Sequence, residues 1–210
     1  MRGNRVAVPT QALQDPVVDR GSPAVAAVIS ALPSPFDDRP ALICIDGLGG
    51  AGKSTLAEAV ASERPGVTVV HGDDFYGPPA SDWTTWTPQQ GYERYFDHDR
   101  LEDQVLRPLR SGSRASFQRY DWSANTLADW VEVDPDRLVV VEGVYLLRPR
   151  LRRYWDLAIY VDAARDLRQR RMHARRQNDV GWINRWAAAE DYYESVERPC
   201  DFADVIVPGH

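Results

Sequence analysis

A chain of 210 residues with 43% hydrophobic and 27% charged side chains has the length and balance of one globular α/β domain with a full core. The formal net charge of −6 argues against a broad nucleic-acid surface, and the sequence offers neither an apolar signal segment behind Arg2 and Arg5 nor a run long enough to cross a membrane. Cys44 and Cys200 make no disulfide framework and no zinc pattern, so a cytoplasmic protein is expected.

Residues 1–22 are polar and weakly patterned and are expected to form a flexible N-terminal arm. Pro23 to Leu32 predicts a helix, with Ser22 as its N-cap and a proline at its first position; Pro33 and Pro35 end it. The apolar run Ala41–Ile45 predicts a strand buried on both faces. It leads into Gly47-Leu-Gly-Gly-Ala-Gly52-Lys53-Ser54, which fits G-x-x-x-x-G-K-[ST], and a helix is expected over Thr55–Arg64. Strand, glycine loop and helix are the setting this motif requires. Backbone N–H groups around Gly47, Gly49, Gly50, Ala51 and Gly52, with those opening the helix at Lys53, Ser54 and Thr55, can cradle phosphate oxygens. Lys53 can reach the outer phosphates, and the Ser54 hydroxyl can ligate Mg²⁺. Lys53 is also the only lysine; the other 24 basic residues are arginine. A compact, mobile ammonium suits a phosphate chain at this one position.

Val67–His71 predicts a second strand, followed by Gly72-Asp73-Asp74-Phe75-Tyr76. Carboxylates at the carboxyl end of a parallel strand face the ligand crevice, although aspartate also favours turns. Residues 77–91 read as a long irregular segment whose Trp83 and Trp86 either seal a core edge or wall an aromatic pocket. The apolar stripe Leu101, Val105, Leu106, Leu109 predicts a helix over Asp99–Leu109, and a short strand is expected over Ala115–Tyr120. Leu138–Val141 is the clearest buried strand. It closes on Glu142, a lone carboxylate suited to orient Mg²⁺ through water. Arg148–Arg153 reads as a solvated basic turn. After a strand at Leu157–Asp162, the helix Ala164–Arg176 carries Arg168, Arg171 and Arg175 on one face, where a lid could supply donors to nucleotide phosphates. A helix over Trp182–Val196 and a strand over Ala203–Val207 complete the chain. This alternation predicts an α/β fold with a parallel sheet and helices on both faces. Residues 23–210 form a single expected domain, with a lid around 163–180.

The ordered set Gly47–Thr55, Asp73–Tyr76, Phe96-Asp97-His98, Tyr120-Asp121-Trp122, Val139–Gly143, the arginine face and Ala203–Pro208 resembles the uridine kinase family, whose relatives include nicotinamide riboside kinase and phosphoribulokinase. The resemblance covers residues 41–208. It implies a P-loop NTPase three-layer fold with a five-stranded parallel sheet, and ATP/Mg²⁺-dependent phosphorylation of a primary hydroxyl on a ribose-like small molecule. It implies Asp73 as the catalytic base, Tyr76, Asp97 and Tyr120 at the acceptor, and Arg168, Arg171 and Arg175 in the lid, with Arg171 beside the transferring group. Where uridine kinases carry a histidine that touches the pyrimidine, this chain has Asn125. Asp73-Asp74-Phe75 is closer to nicotinamide riboside kinase, and the tryptophan-rich loop at 81–92 matches neither.

Two other readings compete. A sugar or other small metabolite is the alternative acceptor, and an ATPase that hydrolyses without transfer is the alternative reaction. A guanine-specific switch is excluded, because its Asn-Lys-x-Asp signature needs a second lysine. No nucleic-acid or membrane partner is expected, and self-association is left open by the sequence.

Overall fold

The protein is described by a computed structural model over residues 22–34, 36–77, 82–135, 138–174 and 180–209. The expected arm at 1–22 lies outside these residues except for Ser22. Seven strands form among the described residues: β1 (Ala41–Asp46), β2 (Val67–His71), β3 (Ala115–Asp121), β4 (Thr126–Val133), β5 (Leu138–Gly143), β6 (Leu157–Asp162) and β7 (Val205–Pro208). Five make one sheet in the order β2-β5-β1-β6-β7, and every pairing in it is parallel. The helices are α1 (Pro23–Ala31), α2 (Lys53–Glu63), α3 (Pro88–Arg94), α4 (His98–Leu101), α5 (Arg107–Arg110), α6 (Pro149–Arg152), α7 (Arg165–Ala174) and α8 (Val180–Glu197). Among the described residues no helix is long and apolar enough to cross a membrane.

β1 and β5 are buried at every residue because helices cover both faces of the sheet. Ile43, Ile45, Val140 and Ile159 pack with Val25 and Val28 of α1 and Leu56, Ala57 and Val60 of α2. Leu42, Cys44, Val139 and Val141 face the other way, onto Leu101, Val105, Leu106, Leu109 and Phe117. The period-2 alternation of the strands therefore feeds two separate core layers. In register, Ile45 lies opposite Glu142, and Glu142 opposite His71. The carboxyl ends of the neighbouring strands β2, β5 and β1 thus finish level, at the edge where parallel sheets bind ligands.

Ser22 caps α1 as expected, accepting a hydrogen bond from the Val25 N–H at 3.3 Å. The stripe at 101–109 is a helix, but α4 and α5 are joined by a π-helical turn, Glu102–Leu106. Pro108 explains the wide turn: its ring would strike the carbonyl four residues back in a regular α-helix.

Three expectations are corrected. The irregular segment at 77–91 contains a 3₁₀ turn, Trp83–Thr85, and the start of α3; residues 78–81 lie outside the described set. Thr87 and Gln90 form a reciprocal capping box and Pro88 sits at the first turn, a signature readable in Thr-Pro-Gln-Gln. The strand at 115–121 stands outside the main sheet and pairs antiparallel with β4, which the sequence reading lacked.

The basic segment 148–153 is also not a solvated turn. Pro149–Arg152 forms α6, and two of the segment's four arginines, Arg150 and Arg153, reach Glu102, which is only 1% exposed. Arg150 Nε donates to Glu102 at 2.9 Å, Arg153 at 2.6 Å, Arg107 at 3.0 Å and the Tyr154 hydroxyl at 2.7 Å. Burial alone would raise this carboxyl, but the bonds from Tyr154, Arg150, Arg153 and Arg107 outweigh it and hold the pKa down at about 2. Because the folded value lies below the ordinary 4.5, the pairing contributes its full stability above pH 4.5 and loses it as pH falls through about 2. Glu102→Gln should therefore cost about 1–2 kcal/mol at neutral pH, the arginines being partly solvent-screened. Urea titrations should show the gap between variant and wild type closing below pH 4.5. A gap that stays constant down to pH 2 would contradict this.

Candidate active site

The glycine loop links the end of β1 to the start of α2. Asp46, fully buried, closes the strand and accepts hydrogen bonds from the Gly47 N–H at 2.6 Å, the Leu147 N–H at 2.8 Å and the Tyr193 hydroxyl. Burial pushes its pKa up to about 6 despite these donors. It fixes the first turn of the loop. The loop then curls through positive φ at Gly50 (+77°) and Gly52 (+100°), conformations that favour glycine. A side chain at Gly50 would also meet the Arg168 carbonyl at 2.7 Å.

Lys53 is 9% exposed, and its ammonium donates to the Leu48 carbonyl at 3.1 Å, across the mouth of the loop. Lys53, Ser54 and Thr55 make the first turn of α2, where backbone N–H groups lack partners within the helix. Together these donors suit an anion.

Beside it, the Ser54 hydroxyl donates to Glu142 Oε1 at 3.1 Å, so the two side chains proposed for the metal meet although 88 residues separate them. The same Glu142 oxygen lies 2.8 Å from His71 Nδ1. That bond to Glu142 is the main cause of a raised His71 pKa. His71 was not singled out from the sequence, and its place at the end of a strand was the available signal. Asp73 and Asp74 follow in the 3₁₀ turn Gly72–Phe75. Asp73 is exposed, whereas Asp74 is turned toward Arg119, with 3.8 Å between Oδ2 and Nε. Burial raises the Asp74 pKa, partly offset by Arg119.

An aromatic layer lies over these strand ends. Tyr76 bridges to Phe96 and packs on Tyr120 at 5.2 Å and Trp122 at 4.3 Å between ring centroids. Burial pushes the Tyr76 hydroxyl up to about 12, and that hydroxyl is hydrogen-bonded to Trp182. Trp182 stacks on Trp186, which stacks on Tyr95. Trp86 joins this cluster from its rim and Trp83 lies under Arg185, so both are half-buried packing elements here. Asn125 sits in the β3–β4 turn at φ +53°, and its Oδ1 accepts the Tyr120 hydroxyl. Asp97 caps α4, accepting the Arg100 N–H at 2.9 Å.

From α7, Arg171 donates to the Gly50 carbonyl at 2.9 Å. Arg168 is 8% exposed and donates to Ala163 O and to Glu190 Oε2, both at 3.1 Å. Arg175 lies outside the described residues. Glu190 of α8 was missed by the sequence reading; a glutamate four residues after Trp186 in an alanine run was the only hint.

The residues fit a nucleotide phosphate chain with a magnesium ion. The loop supplies N–H donors and an ammonium, and Ser54 and Glu142 are hard oxygen ligands. Among the described residues no cluster of three or more His, Cys, Asp or Glu is placed to cage a metal. Magnesium is commonly held by one or two protein groups together with substrate phosphates.

Comparison with known proteins identifies a family. The family model described as Phosphoribulokinase / Uridine kinase family matches residues 87–210, beginning after the glycine loop. A uridine kinase of Clostridium perfringens is 29% identical over 192 residues, covering 82% of this chain and 89% of the relative. One from Limosilactobacillus reuteri is 30% identical over 183 residues, covering 81% and 84%. Among solved structures, a Bacillus stearothermophilus protein described as a possible uridine kinase superposes with a TM-score of 0.69 at 24% identity, covering 87% of this chain and 96% of its own. A Silicibacter protein described as a fructose transport system kinase gives 0.62 at 22% identity, covering 90% and 100%. Those two likenesses establish the shared fold. The chain belongs to the phosphoribulokinase/uridine kinase family of P-loop small-molecule kinases.

Proposed function

We propose that this kinase transfers the terminal phosphoryl group of ATP to a primary hydroxyl of a nucleoside-like small molecule. The observation that carries the reading is the meeting, at the level ends of β1, β2 and β5, of an ammonium in the mouth of the glycine loop and the Ser54–Glu142 pair, with the exposed Asp73 two residues beyond the end of β2. In this reading, Gly47–Thr55 cradles the nucleotide phosphates, and Lys53 neutralises their outer charge. Ser54 and Glu142 hold Mg²⁺, which when bound spreads the charge developing on the phosphoryl oxygens. Arg171 and Arg168 approach from the lid. Asp73 orients the acceptor hydroxyl and takes its proton as the new P–O bond forms.

The acceptor is inferred from the aromatic layer. Trp122, exposed and packed on the buried rings of Tyr76 and Tyr120, offers a π face suited to a planar base. In this reading Asp97 accepts from vicinal ribose hydroxyls through Oδ2, which lies 3.8 Å from Arg100 Nε. Asn125 reads a base edge less far out than an imidazole would, so uridine need not be the preferred base. The test is ADP release with uridine, cytidine, nicotinamide riboside and simple sugars, each against the rate without acceptor. Stimulation by at least one nucleoside supports the reading. Stimulation by sugars alone overturns the nucleoside assignment, and ADP release indifferent to every acceptor favours a hydrolase.

A further inference from the structure

Glu190 is a buried carboxylate, 3% exposed, that the proposed chemistry does not use. Its Oε1 accepts the Gly49 backbone N–H at 2.5 Å and the Trp186 indole N–H at 2.8 Å, and its Oε2 accepts Arg168 at 3.1 Å. Burial raises its pKa, while Gly49, Arg168 and, through space, Lys53 favour its charged form. These are loop, lid and lysine donors: the set that an outer phosphate would require. The space among Gly49, Arg168, Met172, Trp186 and Glu190 amounts to about 20 Å³, room for roughly one water and no phosphoryl group.

We propose that Glu190 occupies the position of the donor's terminal phosphoryl group in the free enzyme, so that a nucleoside triphosphate must displace it while a diphosphate need not. The inference rests on the glycine loop being the nucleotide site. A carboxylate and a phosphoryl group cannot share the Gly49 N–H, since two anions within about 4 Å repel strongly in a water-poor site. Displacing the carboxylate frees Arg168 to turn toward the incoming phosphate. It also breaks the bond to Trp186, which stacks with Trp182 and Tyr95 in the aromatic layer. Glu190 is therefore a selectivity residue for the number of phosphates, acting through competition and not through contact with the acceptor.

Calorimetric titration of ATP and ADP, each with Mg²⁺, into the wild type and Glu190→Gln separates the cases. The neutral near-isostere keeps most of the packing, and ATP should bind about tenfold more tightly to it while ADP changes by less than about twofold. Equal shifts for the two nucleotides, or weaker ATP binding, overturn the inference and leave the nucleotide site standing. No binding of either nucleotide to the wild type overturns both. Should Glu190→Gln not fold, the wild type gives the same answer by NMR: the Gly49 amide proton, released from Glu190 only by ATP, should move distinctly further on adding ATP than on adding ADP. A Gly49 shift that is the same with both nucleotides also overturns the inference.

Discussion

Lys53→Ala should leave the fold intact and lower kcat/KM by about 10²–10³-fold, the cost of removing one fixed electrostatic donor from a transferring group. The ammonium is nearly buried and donates to the Leu48 carbonyl, and through space it favours the charged forms of Asp46 and Glu190. Truncation removes that support, but both carboxylates keep their own hydrogen-bond donors, so thermal melting should fall only modestly. No second lysine exists to substitute for it, and Arg168 and Arg171 are already tied to Glu190 and the Gly50 carbonyl. An arginine at position 53 should not restore activity, because its planar fork is larger than the ammonium it would replace across the loop. Steady-state kinetics alongside a melting curve check the claim. Near-normal kcat in a folded Lys53→Ala protein would contradict it.

Asp73→Asn should reduce kcat by about 10²–10⁴-fold, the usual contribution of a positioned general base. ATP affinity should change little, since the base acts on the acceptor hydroxyl. The turn Gly72–Phe75 separates the two neighbouring aspartates in role. Asp73 is exposed at the strand ends, whereas Asp74 faces Arg119 and its carbonyl accepts Arg100 at 2.8 Å. Asp74→Asn should therefore act mainly on stability, by loosening the hairpin of β3 and β4 from the turn. Measuring kcat and ATP Kd for both variants decides the matter, and a larger kcat loss in Asp74→Asn would reverse the assignment.

What the sequence made legible follows physical lines. Leu157–Asp162 was readable to the residue because an apolar run buried on both faces has no competing pattern, and Val67–His71, a half-buried edge strand, because its β-branched residues favour a strand. The glycine loop was readable because its donors lie within nine consecutive residues. Glu142 was readable only in combination with that loop. β4 was not, since Thr126–Val133 lies largely exposed, with only Val133 buried, and its register rests on β3 rather than on a core face. Glu102 and Glu190 were invisible for a different reason. Each is defined by partners distant in the chain: Arg150 and Arg153 about fifty residues away for Glu102, Gly49 lying 141 residues away for Glu190. Charge runs such as 148–153 look solvated until the fold supplies the buried carboxylate that gathers them.

The central claim, phosphoryl transfer to a carbon-borne hydroxyl, is tested most directly by the identity of the product. ³¹P NMR of the protein with ATP, Mg²⁺ and a mixture of nucleosides follows every phosphorus atom at once. The account predicts a new phosphomonoester resonance growing in step with ADP, absent without nucleoside and lost in Asp73→Asn. ADP accompanied only by inorganic phosphate, at a rate unaffected by the nucleosides, would contradict it.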